Sequence, residues 1–353
     1  MALDMQDERE YQPKIFMKKQ ALQTPPSQKT TSPRRLSLPK IQKILTTTDF
    51  SKESFYGLRY AAFVAEKWNS KIDLLHVEEP SLRQQIPVPL APSGMDPLFG
   101  FPQLYPLPLP SFRPKKNDQF LSALRIVADR EFKKISTRTS VRHGKAFHEI
   151  NEQASKTKAD LIIMSTHGYT GIKHLWLGSV TERVIRHSQC PVLSIPISKS
   201  KRTSFKLRKV LVPIDFSKAS LKAIPYAIAI AKKWNSEVVL LSIVESTVAS
   251  FEMGYPPASI SLDPTAPLEN HLKELQRLQK KYFSVDLSVK TIATLGSPIQ
   301  QINETSKTIG ADLIILTTHG YTGLKHVLLG STAEYVLRNS HLPVLTIPVR
   351  GNS

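Results

Sequence analysis

Length, composition and charge limit the classes of protein to which this chain can belong. Its 353 residues favour two domains, and a hydrophobic content of 41% is typical of ordinary packed cores. No apolar run reaches the roughly 18 residues that a bilayer span requires, the charged N-terminus lacks the apolar core of a secretory signal, and a single cysteine excludes an internal disulfide. We therefore expect a cytoplasmic protein that does not contact a membrane.

Much of the formal net charge of +19 lies in an N-terminal tail and a central linker. Residues 1–40 hold eight lysines and arginines against four acidic residues, and residues 199–209 hold six with no acidic residue. Such segments either bind polyanions through counterion release or act as solvated tethers. Because no aromatic side chains alternate with these charges, we favour a disordered tail over 1–38 and a tether over 198–205, without nucleic-acid binding.

Strands and helices alternate along the chain. Apolar and amphipathic runs in its first half predict strands and helices in turn. The predicted elements are strand Ile41–Thr47, helix Ser51–Trp68, strand Ile72–Val77, helix Phe120–Ile135, strand Ser140–His143, helix Ala146–Lys156, strand Leu161–Ser165, helix Thr181–Ser188 and strand Val192–Ile195. Apolar strands separated by helices are typical of a doubly wound α/β domain, here Rossmann-like with five parallel strands.

The second half of the chain repeats the first. The segment STHGYTGIKHLWLGSVTERVIRHSQCPVLSIPI at 165–197 matches TTHGYTGLKHVLLGSTAEYVLRNSHLPVLTIPV at 317–349 at about 20 of 33 positions. We therefore predict two five-stranded parallel-sheet domains in tandem, over 39–197 and 206–349. The spacing between landmarks is longer in the first copy, and we assign the extra residues to a proline-rich insert at 80–116.

Two segments of each copy fall where doubly wound sheets bind ligands, beyond the carboxyl ends of the strands. The first is an Asp-Phe-Ser sequence that begins at Asp49 and again at Asp215. The second is a glycine-bearing loop that leads to Gly178-Ser179 and to Gly330-Ser331 at the start of a predicted helix. Backbone N–H groups and the helix dipole at such a start favour phosphate.

The two serines also have a purely structural interpretation. Ser179-Val-Thr-Glu182 and Ser331-Thr-Ala-Glu334 both have the spacing of a capping box, in which the serine only caps its helix. Because the glycine loop and the aspartate recur in both copies, we favour the phosphate site over the cap alone.

The glycine spacing resembles that of the universal stress protein family. The nucleotide-binding branch of that family has a glycine, two residues, a glycine, nine residues, a glycine, and then serine or threonine. Nine residues separate Gly168 from Gly178-Ser179, and nine separate Gly320 from Gly330-Ser331. The last strands PVLSIPI and PVLTIPV also match. The resemblance implies ATP, with Mg²⁺, in the crevice of each domain.

The same resemblance implies roles for particular residues. Asp49 and Asp215 would contact the adenosine, and Val77 and Ile243 would lie against the adenine. The residues that would hold the phosphates are Gly168, Gly178, Ser179, Val180, Gly320, Gly330, Ser331 and Thr332.

Both copies depart from the pattern at its first glycine, where Ser165 and Thr317 stand. A Cβ there falls where the backbone approaches the ligand or adopts a positive φ, and β-branched threonine is the costlier of the two. We therefore expect the second copy to hold the weaker site.

The sequence predicts a binding module rather than an enzyme. No acid/base pair accompanies the glycine loops, and two pairs of histidines, at 167 and 174 and at 319 and 326, lack the further ligands of a metal site. The resemblance implies a nucleotide-responsive stress or regulatory module whose two domains pair through their last strands as a pseudo-dimer. A homodimer and an unidentified protein partner are further expectations. The alternatives are a nucleotide-free interaction scaffold and a slow ATPase or nucleotide hydrolase.

Overall fold

The computed structural model describes residues 36–79, 115–166, 177–196, 205–245, 265–318 and 329–349. Nearly all of the predicted tail and linker, the glycine loops and the insert up to residue 114 lie outside these ranges. The chain divides into two compact units between Phe205 and Lys206. We refer to Lys40–Phe205 as domain 1 and to Lys206–Val349 as domain 2.

Domain 1 has the predicted doubly wound architecture. Its strands are all parallel and follow the order β3-β2-β1-β4-β5. The elements are β1 Lys43–Thr47, α1 Ser54–Trp68, β2 Lys71–Glu78, α2 Lys115–Glu131, β3 Thr137–His143, α3 Ala146–Thr157, β4 Leu161–Ser165, α4 Ser179–His187 and β5 Val192–Ile195. Two of the strands, β4 and β5, have the predicted bounds.

Domain 2 repeats this order as β8-β7-β6-β9-β10, again with all strands parallel. Its elements are β6 Lys209–Pro213, a 3₁₀ turn Ser220–Ala223, α5 Ile224–Trp234, β7 Glu237–Val244, α6 Thr265–Tyr282, β8 Val289–Leu295, α7 Pro298–Thr308, β9 Leu313–Thr317, α8 Ser331–Asn339 and β10 Val344–Ile347. The 3₁₀ turn stands where domain 1 begins α1. Pro225, in the first turn of α5, lacks the N–H that a longer α-helix would need there.

Helix α2 begins at Lys115, five residues before the predicted start and inside the predicted insert. The first turn is charged and polar, so the apolar periodicity that marks an amphipathic helix begins only at Phe120.

The strands form the core of each domain. The middle strands are apolar on both faces, and Ile162, Ile163, Ile314 and Ile315 are fully buried because helices cover both sides of a parallel sheet. No helix in the described ranges is long and apolar enough to cross a membrane.

Candidate functional site

A cavity of about 310 Å³ lies in domain 2 at the carboxyl ends of β6, β7 and β9. Parallel strands place their carboxyl ends at one edge of the sheet, which is where doubly wound folds bind ligands. Its lining includes every described residue that the sequence predicted for this copy, namely Asp215, Ile243, Thr317, Gly330, Ser331 and Thr332. Gly320 lies outside the described residues.

The helix that borders the cavity is capped by a glycine. Gly330 is the N-cap of α8 with extended backbone angles (φ −60°, ψ 144°), and Gly178 has the same role in α4 (φ −67°, ψ 144°). Ser331 and Ser179 are therefore the first helical residues, and the interpretation of these serines as capping-box residues is wrong. Both serine side chains are exposed at the helix start.

The start of α8 supplies backbone donors to the cavity. The Gly330 N–H donates to the Thr318 carbonyl at 2.8 Å, which fixes the turn before the helix. The next N–H groups, those of Ser331, Thr332 and Ala333, belong to the first turn, where a helix offers no acceptors of its own. These three residues line the cavity, and an anion there would satisfy the donors and interact favourably with the helix dipole.

The Asp-Phe-Ser segment forms a tight turn in both domains. Asp49 Oδ1 accepts hydrogen bonds from the Ser51 N–H at 3.0 Å and from the Ser51 hydroxyl at 2.5 Å. Asp215 Oδ1 accepts the Ser217 N–H at 3.0 Å. Each aspartate therefore has a structural role in its turn as well as a position at the candidate site.

The turn also sets the charge of Asp215. Burial raises the pKa of this carboxyl, but hydrogen bonds from the Ser217 and Ser220 hydroxyls and from the Ser217 N–H outweigh it, so the pKa lies below its ordinary value. The group is a carboxylate at neutral pH and can accept hydrogen bonds from a ligand.

A histidine packs behind the turn in each domain but comes from different elements. In domain 1, the ring centroid of His76, on β2, lies 4.7 Å from that of Phe50. In domain 2, the ring of His271, on α6, lies 5.2 Å from that of Phe216, and His271 Nδ1 is 2.9 Å from Ser242 Oγ. Burial lowers the pKa of His271, which favours the neutral ring. Sequence comparison missed this cluster because the two histidines are not equivalent in the repeat.

A carboxylate near the end of β7 distinguishes the two domains. In domain 1, Glu79 Oε1 accepts the Ala146 N–H at 2.8 Å, at the start of α3. In domain 2, Pro298 occupies the position of Ala146 and has no N–H to donate. Glu245, the equivalent of Glu79, instead lines the cavity with Asp215. The repeat alignment contains this signal, a Glu-Pro combination in place of Glu-Ala, but it needs the structure to show that the two positions meet.

The residues at the first-glycine position are buried in regular strands. Ser165 and Thr317 end β4 and β9, and a β-branched residue fits a strand well. The positive-φ argument against them is wrong, since the described non-glycine residues with positive φ are Phe50, Asn69, Lys158, Phe216 and Asn235. The weaker binding expected for the second copy therefore depends only on the close approach of the ligand, and it stays a prediction.

Domain 1 brings its predicted residues to the equivalent strand ends. Asp49 follows β1 and is exposed, Val77 is half-buried near the end of β2, and Gly178, Ser179 and Val180 form the start of α4. The Thr181 hydroxyl donates to the Ser165 carbonyl at 2.9 Å, a bond that Ala333 cannot make in domain 2. Gly168 and the four loop histidines lie outside the described residues.

One group of side chains in the described ranges has the composition of a metal site. His148, Glu149 and Glu152 have ligand atoms within 4.8 Å of one another. The Arg142 guanidinium already lies 2.5 Å from Glu149 and 2.8 Å from Glu152. These two carboxylates therefore already have a cationic partner, which is an alternative to a metal ion as the reason for the cluster.

Comparison with known proteins identifies the family. The model of the universal stress protein family matches residues 40–196 and again residues 206–348. The chain belongs to the universal stress protein family. Universal stress protein MJ0531 of Methanocaldococcus jannaschii is 36% identical over 141 residues, which are 40% of this chain and 81% of the relative.

A second relative and one solved structure are also similar to this chain. Universal stress protein MJ0577 of the same organism is 30% identical over 159 residues, which are 41% of this chain and 96% of the relative. The crystal structure of a universal stress protein from Archaeoglobus fulgidus matches with a TM-score of 0.56 at 20% identity, over 88% of this chain and 100% of that one. At this identity the structural likeness shows the fold alone.

Proposed function

We propose that this universal stress protein binds ATP with Mg²⁺ at the strand ends of one or both domains and acts as a nucleotide-responsive regulatory module. The observation that carries the proposal is the domain 2 cavity, which joins a carboxylate, an apolar strand residue and a helix N-terminus. Its volume of about 310 Å³ falls at the lower end of the range of about 300–1,000 Å³ that is usual for small-molecule sites.

Each part of the cavity suits one part of the nucleotide. The carboxylate of Asp215 would accept hydrogen bonds from ribose hydroxyls, and Ile243 with Ile302 would give the adenine an apolar wall. The first turn of α8, with Ser331 and Thr332, would donate hydrogen bonds to the phosphates. The polar groups are few and the walls are partly apolar, which is typical of ligand sites.

The charge of the cavity makes Mg²⁺ part of the proposal. Asp215 and Glu245 both line it, and its described lining contains no lysine or arginine. A free triphosphate would be repelled by two carboxylates. Mg²⁺ bound to the phosphates offsets part of their charge, so we expect binding of ATP to domain 2 to require the metal.

Calorimetric titration of the full chain with MgATP tests the proposal. We expect one or two sites per chain, with one site lost in Gly330→Val and the other in Gly178→Val, since a side chain at the N-cap would crowd the phosphates. The backbone angles of both glycines are open to any residue, so unchanged melting temperatures would show that the variants fold. A chain that carries no nucleotide through purification and binds none would contradict the proposal.

The two alternatives make different predictions in the same experiment. A nucleotide-free scaffold would bind no MgATP. Its main support is that Ser165 and Thr317 stand at the first-glycine position, and its capping role for Ser179 and Ser331 does not hold, because Gly178 and Gly330 are the N-caps. A slow hydrolase would release phosphate at a rate that falls in the double variant Ser179→Ala with Ser331→Ala.

A further inference from the structure

A second cavity, of about 670 Å³, lies in domain 1 between α3, the first halves of β1 and β2, and residues Arg138–Arg142 of β3. Lys43 and Lys71 are the first residues of their strands, so this cavity lies toward the opposite end of the strands from the candidate nucleotide site. We call it the basic cavity. The charged residues of its lining are Lys43, Lys71, Arg138, Arg142, Lys156 and Asp73.

Some of these charges already have partners. Arg142 pairs with two glutamates of α3, and Lys43 Nζ donates to the Thr157 carbonyl at the end of the same helix, at 3.2 Å. Asp73 accepts hydrogen bonds from Gln153 at 2.7 Å and from Ser140 at 3.3 Å.

Three cations of the basic cavity have no ion-pair partner among the described residues. In the part of the chain that the structure describes, no carboxylate forms an ion pair with Lys71, Arg138 or Lys156. They line the cavity from three elements, namely β2, β3 and α3, and all three residues are exposed. The cavity therefore carries an excess of positive charge that its own residues do not neutralise.

The strand register places two of the lysines side by side. Lys43 and Lys71 are direct partners on neighbouring parallel strands, so their side chains project from the same face of the sheet. Like charges in such positions repel each other. Asp73 is the partner of Arg138 on the next pair of strands, and it is the single carboxylate in the lining.

At the equivalent position in domain 2, a glutamate offsets the positive charge. The partner of Lys209 is Glu237 rather than a lysine, and Lys290 Nζ lies 3.0 Å from Glu237 Oε2. Lys209 Nζ donates to the Ile309 carbonyl, as Lys43 does to Thr157, so the end of the helix accounts for this lysine in both domains. The helix end does not account for Lys71, which is a cation at the position where domain 2 has the anion Glu237.

Two more cations are lost in domain 2, where Thr294 and Thr308 hold the positions of Arg142 and Lys156. Arg138 keeps its charge as Lys290, which pairs with Glu237, and Val239 replaces Asp73. The concentration of cations is therefore specific to domain 1 and is not a requirement of the fold.

We propose that the basic cavity of domain 1 binds a small anion with two or more phosphate groups. Cations on three different elements would each reach a separate phosphate oxygen, and charge-assisted hydrogen bonds of this kind are stronger than neutral ones. A single phosphate would neutralise less of the excess, and a volume of about 670 Å³ accommodates more than one group. The ligand is either a free oligophosphate or the phosphate chain of a larger metabolite.

Calorimetric titration of the full chain with sodium tripolyphosphate, without Mg²⁺, tests the proposal. We expect Lys71→Glu, which copies domain 2, to weaken binding by about tenfold or more, since it replaces a charge-assisted contact with repulsion. Lys134→Glu makes the same charge change at an exposed position outside the cavity and should change affinity by about twofold or less.

The reciprocal variant predicts a gain of binding, which a loss of folding could not produce. Glu237→Lys should create a second tripolyphosphate site in domain 2, beside Lys209 and Lys290. Gly178→Val with Gly330→Val should leave tripolyphosphate binding unchanged, which separates this proposal from that for ATP. Titration with ATP in that double variant distinguishes the two sources, because a free oligophosphate site would prefer the inorganic probe.

Three results would overturn the proposal. The first is an absence of tripolyphosphate binding. The second is an equal loss in Lys71→Glu and Lys134→Glu, which would indicate attraction to the basic chain as a whole. The third is a loss in the glycine double variant, which would put the probe at the strand ends.

Discussion

Removal of the negative charge of Glu245 should tighten the binding of charged nucleotides to domain 2. The carboxylate lines the cavity with Asp215, and Pro298 cannot give it the N–H that Ala146 gives to Glu79 in domain 1. We therefore expect Glu245→Gln to relieve repulsion between the protein and the phosphates while it preserves the shape of the side chain.

The size of the effect follows from the volume of the cavity. A sphere of about 310 Å³ is about 8 Å across, and two unit charges at about that separation interact with about 2 kcal/mol at an effective dielectric constant of about 20. Because Glu245 is exposed, screening over a Debye length of about 8 Å reduces this to about 0.7 kcal/mol for each ligand charge. MgATP carries a net charge of about −2, so the gain is about 1.5 kcal/mol, or about tenfold in Kd.

The assay is calorimetry in a Gly178→Val background, which isolates domain 2. Adenosine should bind equally to Glu245→Gln and to its parent, and MgATP should bind about tenfold more tightly to the variant. Glu304→Gln removes an exposed charge from α7 outside the cavity lining and is the matched control. An equal gain for adenosine would refute the electrostatic reasoning, and weaker MgATP binding would show that Glu245 instead coordinates Mg²⁺.

Three further outcomes concern folding. Gly57→Ala should lower the free energy of unfolding by about 1–3 kcal/mol in denaturant titrations, because its Cβ would lie 3.0 Å from the Ser165 backbone nitrogen. Acidification below pH 3.8 should lower the free energy of unfolding more in the parent than in Asp215→Asn. The lowered pKa of Asp215 stabilises the folded state at pH values above the ordinary pKa, and this contribution is lost as the pH falls through the pKa of the folded state. Thr181→Val should cost about 1 kcal/mol of thermal stability through its lost hydrogen bond to Ser165, and an unchanged melting temperature would contradict this.

The repeat and the alternation of strands and helices were sufficient to predict the fold. Apolar strands such as β4 and β5 have no charged residue to blur their ends, so their bounds were predicted without error. The start of α2 was missed because its first turn is polar. The 3₁₀ turn before α5 could not be inferred from a repeat in which domain 1 has a continuous helix.

The repeat also made it possible to predict part of the candidate site. Asp215, Ile243 and Ser331 belong to motifs that repeat, and the parallel sheet brings them to one cavity. Whether a serine caps a helix or is its first residue depends on backbone angles, which the capping-box pattern does not fix. Glu245 was missed because its exposure to the cavity depends on Pro298, which lies more than 50 residues away.

Amide hydrogen exchange of the full chain with and without MgATP tests the central claim most directly. The N–H groups of Ser331, Thr332 and Ala333 lie in the first turn of α8, where the helix supplies no acceptors, so they should exchange rapidly in the free protein. If the phosphates bind there, MgATP will slow exchange in peptides that cover these residues and leave α6 unchanged. MgATP that binds by calorimetry without slowing exchange at the start of α8 or of α4 would contradict the claim.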